Sequence, residues 1–298
     1  MALSLRIAPL LVGLTVVAYG TSAPEALVSI QAATQGHGAI ALGNIVGSNI
    51  ANIGLILGVS ALVRPARVSG ALRRRELPVL LASTLVLPLV LLDGRVSNWE
   101  AGGLLVGALS YTLTMVREAL GSPSARAAAR RDARVEAEAA DAAGAPKTKS
   151  VRWSAATAIA GLLVLLLGGH FFIEGAVAAA RTLRISERVV GLTIVAVGTS
   201  LPELVTSVVA SLRGHADIAV GNVIGSNIFN VLLCLGAAAL SGTVAADLRD
   251  VALDLTMLAL ITAAAAIFIR SERHVSRAEG GVVLAFYVAF MVFVVLAG

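Results

Sequence analysis

The stretch Gly20-Thr-Ser-Ala-Pro-Glu25, followed by Gly43-Asn-Ile-Val-Gly-Ser-Asn-Ile-Ala-Asn52, occurs a second time in this chain. The second version reads Gly198-Thr-Ser-Leu-Pro-Glu203 and Gly221-Asn-Val-Ile-Gly-Ser-Asn-Ile-Phe-Asn230. The two copies, Val12 to Gly58 and Val190 to Gly236, align at a constant offset of 178 without a gap, and 27 of the 47 pairs are identical. Both are embedded in apolar sequence long enough to cross a bilayer. Each therefore carries a carboxylate, Glu25 or Glu203, to a depth where a charge costs on the order of 3 kcal/mol or more. A charge placed at that depth twice, in the same setting, reads as a functional site.

Composition sets the class. The chain has 298 residues, 57% of them hydrophobic and 14% charged, and a mean hydropathy of +0.89. This is the composition of an all-α polytopic membrane protein. Nine apolar runs are visible, at about 8–32, 40–63, 77–92, 101–116, 154–180, 189–212, 218–240, 251–269 and 280–297. The third and fourth are short for a span of roughly 17–25 residues. The runs are continuous rather than alternating, which excludes membrane strands. The single cysteine, Cys234, excludes an intramolecular disulfide and a thiolate metal cluster.

The net charge of +5 is distributed by side. Of 23 basic residues, 18 fall in one set of alternate segments, and only Arg95, Arg181, Arg184, Arg188 and Arg249 fall in the other. The rich side is expected to be cytoplasmic. The high pI then reflects topology and contact with anionic lipid, with no need for a nucleic-acid partner. Residues 119–152 form the one long polar stretch and read as a cytoplasmic linker. They divide the chain into a first half, 1–118, with four visible helices and a second half, 153–298, with five.

Equivalent helices of the two copies are five spans apart. Five is odd, so the second copy crosses the membrane in the opposite sense, giving two inverted-topology repeats. Arg6 on the basic-rich side and its repeat counterpart Arg184 on the other support this independently. The second half has a helix ahead of its motif, about Ser154 to Ala180, with almost no counterpart ahead of the first motif. Symmetry thus leads to a ten-helix fold of which nine are visible. A further apolar span is expected to be encoded upstream of Met1.

The motif chemistry is that of hard oxygen ligands. On a helix Thr21 and Glu25 share a face, as do Thr199 and Glu203, with Ser22 and Ser200 one position round. Pro24 and Pro202 have no N–H, so the carbonyls of Gly20 and Gly198 lose their usual donors. Freed carbonyls at membrane depth are tolerated where protein or a water-filled cavity satisfies them. Ser48 with Asn52, and Ser226 with Asn230, add hydroxyl and amide oxygens. This set suits calcium or sodium and not zinc or copper. Neither glutamate has a fixed basic partner within its own motif span, so protons or mobile cations must neutralise it. Gly43, Gly47, Gly221 and Gly225 would let helices approach closely.

The doubled motif resembles the sodium/calcium exchanger family within the cation/calcium antiporter superfamily, and the resemblance covers essentially the whole chain. It implies ten helices in two inverted halves, with ion sites clustered at the midplane and the first helix apparently lacking here. It implies that Glu25 and Glu203 are shared ligands of calcium and sodium. Thr21, Ser22, Thr199 and Ser200 would add hydroxyls and carbonyls, and Ala18 and Ala196 carbonyls. Ser48, Asn52, Ser226 and Asn230 would complete the sites. Some members carry an acid where this chain has Asn230, so two formal negative charges are expected here rather than three. The family's first and sixth helices are thought to slide together as the gate.

The expected function is therefore sodium-for-calcium antiport by alternating access in the cytoplasmic membrane. The expected partners are those two ions and the lipid bilayer, with no cofactor. Proton or potassium coupling on the same fold, and a truncated non-transporting membrane protein, remain as alternatives. No nucleophile–base constellation or phosphate-binding loop is visible, so an enzyme is not expected. Asn49 and Asn227 read as interhelical hydrogen-bonding or capping residues. His37 and His215 read as loop or interface residues, Trp99 and Trp153 as interfacial anchors. Asp254 reads as facing the bundle interior or snorkelling outward, outside the ligand set.

Overall fold

The computed structural model of the chain describes residues 18–121 except 69 and 71, then 168, 171–180, 182, 185–271 and 274–297. Arg6, Trp153, the linker beyond residue 121 and most of the expected span 154–180 lie outside the described residues. Nearly everything described is helical. The first copy comprises α1 (Ala18–Thr21), α2 (Ala23–Thr34), α3 (Gly38–Ala51), a π-helical stretch Asn52–Leu57, and α4 (Gly58–Val63). Strand β1 (Ala66–Arg67), a π-helical turn Leu72–Glu76, α5 (Leu77–Val90) and α6 (Asn98–Gly121) follow. Helix α6 thus continues past the boundary read at residue 118.

Then come α7 (Phe171–Ala180) and α8 (Glu187–Val190), a π-helical stretch Gly191–Val195, α9 (Ala196–Thr199) and α10 (Leu201–Leu212). The second copy ends with α11 (Ala216–Phe229), a π-helical stretch Asn230–Leu235 and α12 (Gly236–Ser241). The chain closes with α13 (Leu248–Ser271), β2 (His274–Val275) and α14 (Arg277–Ala297). From the break onward, the two copies have the same succession of elements at repeat-equivalent residues.

Local chemistry explains the punctuation. Pro24 and Pro202 sit in the first turn of α2 and α10, where a missing N–H is tolerated. The N-cap residues of these helices, Ser22 (φ −81°, ψ 2°) and Ser200 (φ −85°, ψ 4°), leave helical geometry and interrupt each rod. In the second copy the two parts bend by 44°. Both copies then turn on a glycine at positive φ, Gly36 at 84° and Gly214 at 90°. Around Gly36 the amide of His37 donates to Ala32 at 2.8 Å and that of Gly36 to Ala33 at 3.2 Å, closing the end of α2.

Four helical stretches among the described residues are long and apolar enough to cross a bilayer: Gly38–Val63, Ala216–Ser241, Leu248–Arg270 and Arg277–Leu296. The bent pair Glu187–Thr199 with Leu201–Leu212 makes a fifth. The first two are central, with every residue from Ile40 to Ala51 and from Ala219 to Phe229 buried. The outer helices show the reverse pattern. Leu85, Leu89, Leu109, Leu260, Ile267, Phe286 and Val292 are large, apolar and exposed, as a lipid-facing surface requires.

The two copies intercalate. Helix α3 packs on α8, the Gly191–Val195 turn and α9, while α10 packs on α4 and the Asn52–Leu57 stretch. Glycine makes the first contact possible. A Cβ on Gly43 would lie 2.6 Å from the Arg188 carbonyl oxygen and 2.9 Å from the Leu192 nitrogen, and one on Gly191 would lie 2.6 Å from the Ile40 carbonyl oxygen. These are backbone atoms that cannot swing aside, so the backbones touch as the small-residue spacing predicts. Gly43→Ala is predicted to destabilise the protein by about 1–3 kcal/mol, read as a lower thermal unfolding temperature in detergent. Gly103→Ala, whose added Cβ meets nothing within 4 Å, should not. Equal behaviour of the two would contradict the close crossing.

Candidate ion site where the two repeats cross

The breaks at Ser22 and Ser200 aim the two hydroxyls across the molecule. Ser22 Oγ donates to Glu203 Oε1 at 3.2 Å, and Ser200 Oγ donates to Glu25 Oε1 at 3.0 Å. These bonds are the same bond, made once from each copy. Both glutamates are 0% exposed, and the second oxygen of each, Oε2, is buried without a hydrogen-bond partner. Neither forms an ion pair with Lys or Arg among the described residues. Hydroxyl donors to one oxygen, with the other bare, are far short of what an ionised carboxylate needs when removed from water, where the effective penalty is several kcal/mol per ion.

A second reciprocal layer supports the first. Asn44 Oδ1 accepts from Thr199 Oγ1 at 3.0 Å, while its Nδ2 donates to Ser29 Oγ at 2.9 Å. The counterpart Asn222 accepts from Thr21 Oγ1 at 3.4 Å and donates to Ser207 Oγ at 3.1 Å. The reading of the motif left Asn44 and Asn222 without a role. Their signal was their place in the duplicated Gly-Asn-x-x-Gly-Ser-Asn, but one sequence does not show which helix an amide reaches. Each fixes the direction of a threonine hydroxyl from the opposite copy.

The remaining candidates divide. Asn52 Nδ2 donates to Asn227 Oδ1 at 3.1 Å, which leaves Asn52 Oδ1 buried and unpartnered. Ser226 Oγ is likewise buried and unpartnered. Asn230 differs from Asn52, since Cys234 Sγ approaches its Oδ1 at 3.6 Å and its Nδ2 is the bare atom. A half-turn of that amide exchanges the two atoms. Ser48 lies 3.4 Å from Thr199 Oγ1 and donates to the Ala196 carbonyl at 3.5 Å. That carbonyl also accepts from Thr199 Oγ1 at 3.2 Å and from the Ser200 amide at 3.1 Å, so it is well supplied with donors. Ala18 opens α1, and its side chain lies outside the described residues.

One expectation about helix faces changes: the break at Ser22 falls between Thr21 and Glu25, and the two turn to Asn222 and Ser200 respectively. Ser48 and Asn52 stay one helical turn apart, the Asn52 amide donating to the Ser48 carbonyl, at the switch from α- to π-helix. Such π turns recur at functional sites. Asn227 makes the interhelical bond expected of it. Asp254 turns inward, buried, and pairs with Arg188, while His37 Nδ1 lies 3.0 Å from Glu187 Oε1.

Among the motif residues, Glu25 Oε2, Glu203 Oε2, the amide oxygens of Asn49 and Asn52 and the Ser226 hydroxyl are buried and unpartnered. All are oxygens, the donor set of a hard cation. The supporting layer makes a thermodynamic prediction. Asn44→Ala removes the amide acceptor of Thr199 and the donor to Ser29 and should lower the unfolding temperature, corresponding to about 1–3 kcal/mol. In a double-mutant cycle with Thr199→Val the losses should fall short of additivity by about 1 kcal/mol. Strictly additive losses would show that the Asn44–Thr199 bond contributes nothing.

Comparisons with known proteins place the chain in a family. The family model described as sodium/calcium exchanger protein matches residues 1–117 and 153–296. A putative antiporter, CaxA, of Alkalimonas amylolytica is 35% identical over 292 residues, covering 97% of this chain and 89% of that protein. The sodium/calcium exchanger MaX1 of Methanosarcina acetivorans is 32% identical over 316 residues, covering 98% and 90%. A structure of the sodium-calcium exchanger NCX_Mj, soaked with 2.5 mM Na+ and 0.1 mM Ca2+, superposes with a TM-score of 0.71 at 30% identity, covering 97% of this chain and 88% of that one. This chain is a multi-pass membrane protein belonging to the sodium/calcium exchanger family of cation/calcium antiporters.

Proposed function

We propose that the chain exchanges sodium for calcium across the cytoplasmic membrane by alternating access, using one buried site shared by both ions. The observation that carries this reading is the pair Glu25 and Glu203. Both are fully buried, each accepts from a serine of the opposite copy and leaves one oxygen bare, and neither has a basic partner among the described residues. A carboxylate pair so placed is neutralised by mobile cations. Calcium takes both charges at once and sodium ions take them singly, so the two kinds of ion compete for the same oxygens.

The ligand set in this reading is Glu25, Glu203, Thr21, Ser22, Thr199, Ser200, Ser48, Asn52, Ser226, Asn230 and the carbonyls of Ala18 and Ala196. The halves 1–118 and 153–298 are inverted repeats joined by a cytoplasmic linker. Loop pairing supports inversion. Strand β1 pairs with β2, Arg67 opposite His274, and an isolated bridge joins Arg95 to Ala245. The repeat offset carries Arg67 onto Ala245 and His274 to the residue after Arg95. The same loop contact is thus made twice, once from each half.

The test is calcium flux into vesicles holding the purified chain. An outward sodium gradient, sodium inside and calcium outside, should drive calcium uptake. A proton gradient alone should not. Uptake that ignores sodium, or none at all, would overturn the reading. Glu25→Gln and Glu203→Gln should each reduce uptake to the level of empty vesicles while the protein still inserts and stays monodisperse. Asn230→Asp adds a third negative charge and should retain calcium binding while changing the ratio of calcium to sodium affinity. Near-normal sodium-driven flux in both Gln variants would place the site elsewhere.

A further inference from the structure

Three consecutive arginines, Arg73, Arg74 and Arg75, occupy the π-helical turn that leads into α5. Like charges at the start of a helix oppose its positive end, where an anion would be favoured. The turn supplies no compensating acid at its start. Its one acid, Glu76, is turned inward, buried, and accepts from Tyr111 Oη at 2.5 Å. Arg270, in the last turn of α13, comes to the same place because α13 packs against α5. Together Arg73, Arg74, Pro78 and Arg270 line a cavity of about 460 Å³. Arg73 Nε is buried there without a hydrogen-bond partner, and Arg74 and Arg270 form no ion pair among the described residues.

The surroundings indicate the kind of anion. From Pro78 an exposed apolar stripe continues along α5 through Leu81, Leu85 and Leu89. A second runs from Arg270 along α13 through Ile267, Leu260 and Leu253. The guanidinium cluster thus stands at the head of two apolar, lipid-facing stripes on neighbouring helices. A soluble phosphate would use the arginines and ignore the stripes. An anionic phospholipid uses both, and basic pockets between membrane helices are suited to such headgroups.

We propose that this cavity binds the phosphate-bearing headgroup of an anionic phospholipid, held by Arg73, Arg74 and Arg270, with the acyl chains lying along α5 and α13. Guanidinium is well matched to phosphate, since its planar fork of donors pairs with two oxygens at once. The inference is independent of which ions the chain carries. Native mass spectrometry of the purified full chain tests it, with phosphatidylglycerol and phosphatidylcholine of equal chain length as probes. Phosphatidylglycerol should be retained in preference, and the variant Arg73→Gln/Arg74→Gln/Arg270→Gln should bind it at least about 10-fold more weakly. The control variant Arg117→Gln/Arg213→Gln/Arg277→Gln loses the same charge from exposed arginines elsewhere and should bind it as the parent does. If the first variant does not fold, Arg74→Gln alone, at an exposed position, should still weaken binding. The proposal is overturned by equal loss in the control, by equal retention of the two lipids, or by unchanged binding in the variant that folds. Displacement of the lipid by millimolar inorganic phosphate would also overturn it, showing a site for the free anion.

Discussion

A carboxylate held inside a membrane protein must meet a counter-charge, and here two are held together. Glu25 and Glu203 lie wholly out of solvent, each with one oxygen on a serine of the opposite repeat and one oxygen bare. Isolated, such charges are among the most expensive groups a protein can bury. Much of the central architecture can be read as a way of holding them there without a lysine or arginine. The helix breaks turn the serines across, the glycines let the backbones close, and Asn44 and Asn222 fix the threonine hydroxyls. A fixed basic partner would neutralise the pair permanently and leave no charge for a mobile cation.

Reciprocity is the second theme. Ser22 with Glu203 repeats as Ser200 with Glu25, and Asn44 with Thr199 repeats as Asn222 with Thr21. Each copy completes the other, so neither half holds its carboxylate alone. The equivalence is imperfect at Asn52 and Asn230, where Asn52 bonds Asn227 and Asn230 lies beside Cys234. Outside the centre the halves also diverge. The Arg188–Asp254 and His37–Glu187 contacts anchor α8 to its neighbours and have no repeat counterpart, since the residues equivalent to Arg188 and Glu187 are Leu10 and Pro9.

What could be read from the residues alone follows the range of the interactions. The two glutamates, the prolines and the glycine spacing act within a turn or two, and duplication made them legible. Gly43 does contact a neighbouring backbone, and Pro24 and Pro202 do mark interruptions. The partners of Asn44, Asn222 and Asp254 lie far along the chain, and no periodicity records them. The π turns at Asn52 and Asn230 shift the hydrogen-bond register by one residue, a change that leaves the apolar pattern almost untouched. Thr21 and Glu25 have the spacing of one helical face, but the break at Ser22 lies between them, an interruption that the helical period does not record.

The central claim is that Glu25 and Glu203 hold one divalent ion between them. Anomalous diffraction from crystals soaked with strontium, which scatters anomalously and substitutes for calcium, locates that ion directly. The account predicts a single strong peak within coordinating distance, about 2.3–2.6 Å for calcium and slightly longer for strontium, of oxygens from both carboxylates, lost when sodium replaces strontium in the soak. A peak bound to only one of the two, or placed away from both, would contradict it.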